Sequence, residues 1–233
     1  MGRDSLSELS ETFTSQGFQL TPLAHHNLGS SNRLIMLDSS YIELLGWEKG
    51  KPIQSAEIAN QAIGLDALVF RTNDADACYS QLKESGFAVN PVQDLSREGE
   101  FIGETVLVQF KTVRFSEQPI PGLRIYFCEH LNPEYVWQKA WLSHPNKLHY
   151  LPQITLGSPD ITQTAAAFQK LLNLSKQAIA PSANTIRISL PNIELNIQPA
   201  DRSQGVYIQD ARLSQSPTDP VDFIVDHHFL TQH

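Results

Sequence analysis

Basic residues are scarce in this chain. Lys and Arg total 17 against 25 Asp and Glu, a formal net charge of −8. Nucleic-acid binders gather Lys and Arg on one face, and here they are scattered, so nucleic acid is excluded as a partner. Cysteine is scarcer still, with only Cys78 and Cys128 present. The two form no CxxC and sit in apolar-patterned segments, so they read as buried, reduced thiols of a cytoplasmic protein. No apolar run approaches the ~20 residues that cross a bilayer as a helix. The opening Met-Gly-Arg-Asp-Ser lacks the apolar stretch of a signal peptide. No membrane partner is expected.

The common hydrolytic and nucleotide motifs are missing too. The chain has no Gly-x-Ser-x-Gly elbow, no HExxH and no P-loop. Ser80-Gln81-Leu82-Lys83 matches a bare S-x-x-K, but it lies within a helical pattern without companion motifs and reads as chance.

What is present is a globular composition and a repeat. Apolar residues make up 41% of the 233 and charged ones 18%, which places the chain among folded domains with a sizeable core. Ser15–Pro22 (SQGFQLTP) and Glu84–Pro91 (ESGFAVNP) share Gly-Phe followed by proline at the same offset. Each follows a helix-like pattern and precedes two strand-like runs. Asn173–Pro181 is a degenerate third copy that has lost the Gly-Phe.

The middle copy reads as βαβββ. Asp66–Thr72 (DALVFRT) is a strand, and Asn73 or Asp74 caps a helix that Gly86 ends. Phe87–Pro91 follows as a short strand, Glu104–Val113 alternates with period two, and Leu123–His130 closes the unit. The third copy repeats the order. Tyr150–Ser158 is a strand, Ser158-Pro159 starts a helix, and two strands form a hairpin across Leu190-Pro191-Asn192-Ile193. The first copy has its helix and its last strands, Arg33–Asp38 (RLIMLD) and Tyr41–Trp47 (YIELLGW). Only Met1–Asp4 precede the helix, so its opening strand is absent, and we expect a chain that starts late relative to the ancestral unit. The boundaries expected are an incomplete first module at 1–62 and a second module with a helical connection at 63–147. A third module spans 148–200, and an extension with an edge strand spans 201–233. The fold class is α+β: repeated βαβββ modules whose curved mixed sheets surround a concave pocket. An unpaired edge tends to be covered, so the C-terminal segment or a second copy of the chain, as a homodimer, is expected on the edge left by the missing strand.

Two stretches carry a family resemblance. Gly29-Ser30-Ser31-Asn32-Arg33 leads into Tyr41-Ile42-Glu43-Leu44, and His130 to Trp137 is followed by His144-Pro145-Asn146. Together with the βαβββ repeat, they resemble the glyoxalase-like domain proteins of the vicinal-oxygen-chelate superfamily, over roughly residues 5 to 200. The resemblance implies a small-molecule pocket and, in many relatives, a divalent metal held by first and last strands of facing modules. Carried over position by position, it gives Glu43, Gln153 and Glu194 as metal ligands, with Glu43 as the catalytic candidate. No imidazole falls at a mapped ligand position, so the reading favours a site without a bound metal.

Other candidates come from the residues themselves. His25 and His26 are adjacent, and from an extended segment only one can point inward. His26 with Asn32 is the sharper choice for binding substrate, and Arg33 is a candidate partner of Glu43 or of substrate. His130, Trp137 and His144 could line an aromatic pocket. A helical turn that packs Trp137 and Trp141 on the core reads equally well. Two functions stay open: a lyase, isomerase or dioxygenase acting on a small oxygen-rich or aromatic molecule, and a non-catalytic protein that sequesters one.

Overall fold

One local device starts two helices. Asp74 accepts a hydrogen bond from the Ala77 amide at 2.9 Å, and Asp160 accepts one from the Gln163 amide at the same distance. Each aspartate satisfies an amide that the first helical turn leaves open. The helices are α2 (Ala75–Glu84) and α3 (Ile161–Leu171), and α1 (Arg3–Ser15) is their counterpart in the first repeat. The computed structural model describes residues 3–47, 64–201, 205–218 and 221–231.

The strands fall into three sheets. In the first, β1 (Ala24–His25), β2 (Ser30–Met36) and β3 (Tyr41–Trp47) pair antiparallel in that order. The second holds β4 (Ala67–Arg71), β5 (Gln93–Phe101), β6 (Glu104–Arg114) and β7 (Arg124–His130), ordered β4-β7-β6-β5. The third holds β8 (Tyr150–Ser158), β9 (Ile179–Pro181), β10 (Ile186–Ser189) and β11 (Glu194–Pro199). It continues with β12 (Tyr207–Ser214) and β13 (Phe223–Asp226), in the order β13-β12-β8-β11-β10-β9. In the second and third sheets the opening strand lies parallel to the last one, β4 beside β7 and β8 beside β11. Among the described residues no strand lies parallel to β3. The architecture is α+β with curved mixed sheets, and the first repeat shows no opening strand among the described residues.

Two expectations about strands change. Phe87–Pro91 contributes only an isolated bridge, Val89 to Phe115. The strand in that position is the polar β5, which hairpins onto β6 through Ile102 and Gly103, both at positive φ. Its sparse apolar residues hide the period-two alternation of Leu95, Arg97 and Gly99. The C-terminal segment does not reach β3 either. β13 pairs with β12 on the third sheet, and a turn of helix, α4 (His227–Leu230), follows it. The ring of Phe229 packs against Phe13 of α1 at 5.0 Å between centroids.

Strand alternation separates two cores. Leu9, Phe13, Ile35, Leu37, Leu44, Ile125, Phe127, Leu156 and Leu195 belong to the large one, between the helices and the third sheet. Leu34, Met36, Val108, Phe110, Tyr126 and Cys128 point the other way, into a smaller cluster between the first and second sheets. The candidate site opens beside that smaller cluster.

Candidate functional site

Glu43 sits in mid-β3 with its side chain on the same face as Tyr41. Two residues of β2 frame it by parity. Asn32, 3% exposed, donates from Nδ2 to Glu43 Oε1 at 2.7 Å. Arg33, the next residue, faces away and donates from Nη1 to the Thr21 carbonyl at 3.1 Å. Period-two geometry thus makes Asn32, and not Arg33, the partner of Glu43.

The paired histidines divide in the same way. His26 is buried with its Nδ1 2.9 Å from Ser30 Oγ, while His25 is exposed. Burial lowers the His26 pKa and the nearby Glu43 carboxylate opposes this, with Arg97 and Arg114 adding to the lowering. An isolated bridge joins His26 to Arg97 of β5, so the first and second sheets meet here.

A cavity of about 320 Å³ opens beside Glu43. At one end stand Tyr41, His130, Trp137 and Arg71. The His130 ring lies 5.0 Å from Trp137 and 5.1 Å from Phe110, and the Tyr41 hydroxyl is 3.3 Å from its Nε2. With the tyrosine proton donated to Nε2, the ring's own proton is on Nδ1, which is buried without a hydrogen-bond partner. Burial, helped by Arg71 and Arg97, pushes the His130 pKa down to about 4, so the ring is neutral at pH 7. The Arg71 guanidinium lies 5.8 Å above the Trp137 ring and is exposed. It has no carboxylate partner among the described residues. Farther along, Cys128 and Tyr126 line the wall. Burial pushes the Cys128 thiol up to about 12 and the Tyr126 phenol well up, so both stay protonated.

The remaining sequence candidates lie elsewhere. His144 is buried, with its Nε2–H donating to the Met36 carbonyl at 2.7 Å and its Nδ1 accepting from the Gln19 amide at 3.0 Å. With both nitrogens occupied it is a structural clasp and does not line the cavity. Its neighbour Asn146 donates from Nδ2 to the Gln16 carbonyl at 2.9 Å, so His144-Pro145-Asn146 grips the end of α1. Gln153 and Glu194 are register partners on the third sheet. Their parity opposes that of Ile154 and Leu195, which do line the cavity. Glu194 lies 3.9 Å from Arg187. Glu43 therefore does not join Gln153 and Glu194 in one site. Trp137 lies between two short 3₁₀ turns, Pro133–Tyr135 and Lys139–Trp141, where a longer helical turn was one of the two sequence readings.

Among the described residues the donor set around Glu43 does not complete a divalent-metal site. Its neighbours are the buried His26 imidazole, an amide that donates to it, a protonated thiol and phenol, and the cationic Arg97 and Arg114. Among the described residues no three His, Cys, Asp or Glu side chains are grouped to hold an ion. The arrangement suits hydrogen bonding to an oxygen-bearing ligand, with aromatic walls for its apolar part. Arg71 and Arg97 were missed by sequence reasoning, and Tyr41, Tyr126 and Cys128 were met in it without being taken as site residues. Cys128 and Tyr126 alternate with Phe127 in an apolar run, and Arg97 lies on the unrecognised β5.

The sheet topology and the cavity between facing repeats define a member of the vicinal-oxygen-chelate superfamily. More narrowly, residues 1–172 match the glyoxalase-like domain family, and the chain belongs to it. No curated protein matches the chain. A solved hypothetical protein from Staphylococcus aureus is similar in fold, with a TM-score of 0.67 and 15% identity over 90% of this chain and 87% of the other. A mutant 4-hydroxymandelate synthase from Streptomyces coelicolor is also similar, with a TM-score of 0.53 and 10% identity over 89% of this chain and 67% of the other. At these identities both likenesses concern the fold alone. Among the described residues, no helix is long and apolar enough to cross a membrane.

Proposed function

We propose that this glyoxalase-like protein takes a small aromatic or oxygen-rich molecule into the cavity beside Glu43 and acts on it as a lyase or isomerase. The observation that carries the reading is Glu43 itself: a carboxylate held by Asn32, facing a cavity that ends in the rings of Tyr41, His130 and Trp137. Such a carboxylate can accept a proton from a ligand carbon or hydroxyl. The Arg71 guanidinium is placed to hold oxygens at the other end, and Trp137 to stack on a ring. His26 and Asn32 then act as positioning residues through Glu43. A dioxygenase reading draws less support, because that chemistry needs a metal and the donor set does not complete a site for one among the described residues.

Sequestration without turnover is the second reading. It is favoured by one observation: Glu43 is fixed by its bond from Asn32 at the side of an aromatic-ended cavity, a polar anchor that alone suffices for binding. A cytoplasmic location belongs to the proposal and is supported by the two free cysteines. Thermal-shift screening of aromatic hydroxy acids and 2-oxo acids, followed by NMR of each stabilising compound for conversion, tests both readings. Conversion lost in Glu43→Gln supports the enzyme, and stabilisation without conversion supports sequestration. No stabilisation by any of them overturns both.

A further inference from the structure

A carbon that loses a proton to Glu43 leaves negative charge on the ligand, and that charge needs a hydrogen-bond donor. Tyr41 stands where such a donor is useful. It lies two residues before Glu43 on β3, so the two side chains leave the same face of the strand, about 7 Å apart at the backbone. Both line the cavity. The Asn32 bond engages Oε1 of Glu43 and fixes the carboxylate beside the tyrosine.

The Tyr41 side chain is itself held in place. Its hydroxyl is 3.3 Å from His130 Nε2, and its ring lies 5.6 Å from the Trp137 ring between centroids. Burial keeps the phenol protonated, and Cys128 and Glu43 act in the same direction. The bond to His130 is long for an O–H donor, and its acceptor is a neutral ring. A hydrogen bond to a charged oxygen is shorter and roughly twice as strong. The hydroxyl therefore gains by turning from His130 to a ligand oxygen that becomes negative. That gain is realised as the charge forms, which is when it speeds a reaction.

We infer that Tyr41 is a second catalytic residue of this site, and that its substrates are ketones or aldehydes with a C–H bond beside the carbonyl. The carbonyl oxygen sits at the Tyr41 hydroxyl, and the C–H bond faces Glu43. That bond breaks and its proton passes to Oε2 of Glu43. The electron pair left behind forms a carbon–carbon double bond, and the carbonyl π pair moves to oxygen. The step yields an enolate whose oxygen is held by the Tyr41 O–H. Return of a proton to the carbon exchanges that hydrogen with solvent, and no oxidant or further reactant enters. The inference rests on the proposal that Glu43 accepts a proton from a ligand carbon.

The test follows hydrogen exchange at carbon in D2O by proton NMR, with phenylacetone and phenylpyruvate as probes. In each, the benzylic hydrogens lie between an aromatic ring and the carbonyl. The unaltered protein is expected to erase the benzylic signal of at least one probe faster than buffer does, and Glu43→Gln to give the buffer rate. Tyr41→Phe keeps the ring and removes the hydroxyl. It should lower kcat for exchange about 100-fold, the cost of one oxyanion donor, with KM changed by less than about threefold. Tyr41→Met deletes the same hydroxyl by another side chain and should show the same split, with circular dichroism confirming that each variant is folded. Exchange lost in Glu43→Gln but kept at full kcat in the Tyr41 variants overturns this inference alone and leaves the Glu43 reading standing. A rise in KM with kcat unchanged does the same. Exchange that persists in Glu43→Gln, or none by the unaltered protein with either probe, overturns both.

Discussion

Asn32 and Glu43 are joined by a 2.7 Å hydrogen bond although they are not register partners: Asn32 lies opposite Leu45, and Glu43 opposite Leu34. The bond runs diagonally across the β2–β3 pair. Replacing the amide leaves a half-buried carboxylate without its donor. Asn32→Leu is expected to destabilise the fold by about 2 kcal/mol, read as a lower urea midpoint at unchanged slope. Asn32→Asp should be at least as harmful at pH 7, because it sets two carboxylates against each other.

The His144 clasp predicts a stability effect without a binding effect. His144→Ala removes partners from the Met36 carbonyl and the Gln19 amide and opens a small cavity. A loss of about 2–4 kcal/mol is expected from the two effects together. Gly17, at the far side of the same clasp, has φ +79, and an added Cβ would stand 3.1 Å from Asn146 Cβ. Gly17→Ala should therefore cost about 1–2 kcal/mol. In both variants, ligand affinity measured on the folded fraction should match that of the unaltered protein.

His130 predicts a pH dependence of definite sign. Its pKa is about 4 in the fold and ~6.5 in an unfolded chain. Between these values the unfolded state binds the proton and the folded state does not, so stability rises with pH across that window. It is complete above ~6.5 and falls as the solution is acidified toward 4, by about 3 kcal/mol at most for this one group. His26, lowered in the same direction, adds to the slope. Denaturation midpoints at several pH values should show the trend, and His130→Gln should flatten it.

Divalent ions should leave the protein's stability alone. With the donors found around Glu43, the thermal midpoint in manganese, zinc or magnesium is expected to lie within about 1 °C of that in EDTA, since only a ligand that binds the native state shifts it. A rise of several degrees with any of these ions would show a binding set that the described residues do not display.

The legible parts of the fold were those in which local chemistry and tertiary position agree. Asp74 before Ala75 is a helix start in sequence and in structure, whereas the start read at Ser158-Pro159 falls two residues later, with Asp160 as the cap and Ile161 as the first helical residue. Leu190–Ile193 is the hairpin turn that its proline and asparagine suggest, closed by the Leu190 amide donating to the Ile193 carbonyl at 2.9 Å. β5 was not legible because its side chains are mostly solvated, and only its pairing with β6 makes it a strand. In the site, Glu43 could be singled out as an acid within an apolar run. The guanidiniums around it could not, since Arg97 comes from the unrecognised β5 and Arg71 from the end of β4, brought there by sheet order. Position matching also set Gln153 and Glu194 beside Glu43, whereas strand parity turns them to another face. His144 has the sequence look of a pocket residue and the hydrogen bonds of a brace, a difference that only three-dimensional partners reveal.

Phe13 of α1 rests on Phe229 of α4, and Phe18 on Phe223 of β13 at 5.3 Å between ring centroids. The outer cover of the first helix is thus made long after the helix itself. During translation the first repeat must wait, with an apolar helix face uncovered, until Phe223 and Phe229 leave the ribosome. Nascent chains stalled before Phe223 should accordingly be held by chaperones and cut readily within α1, and extension past Phe229 should abolish both.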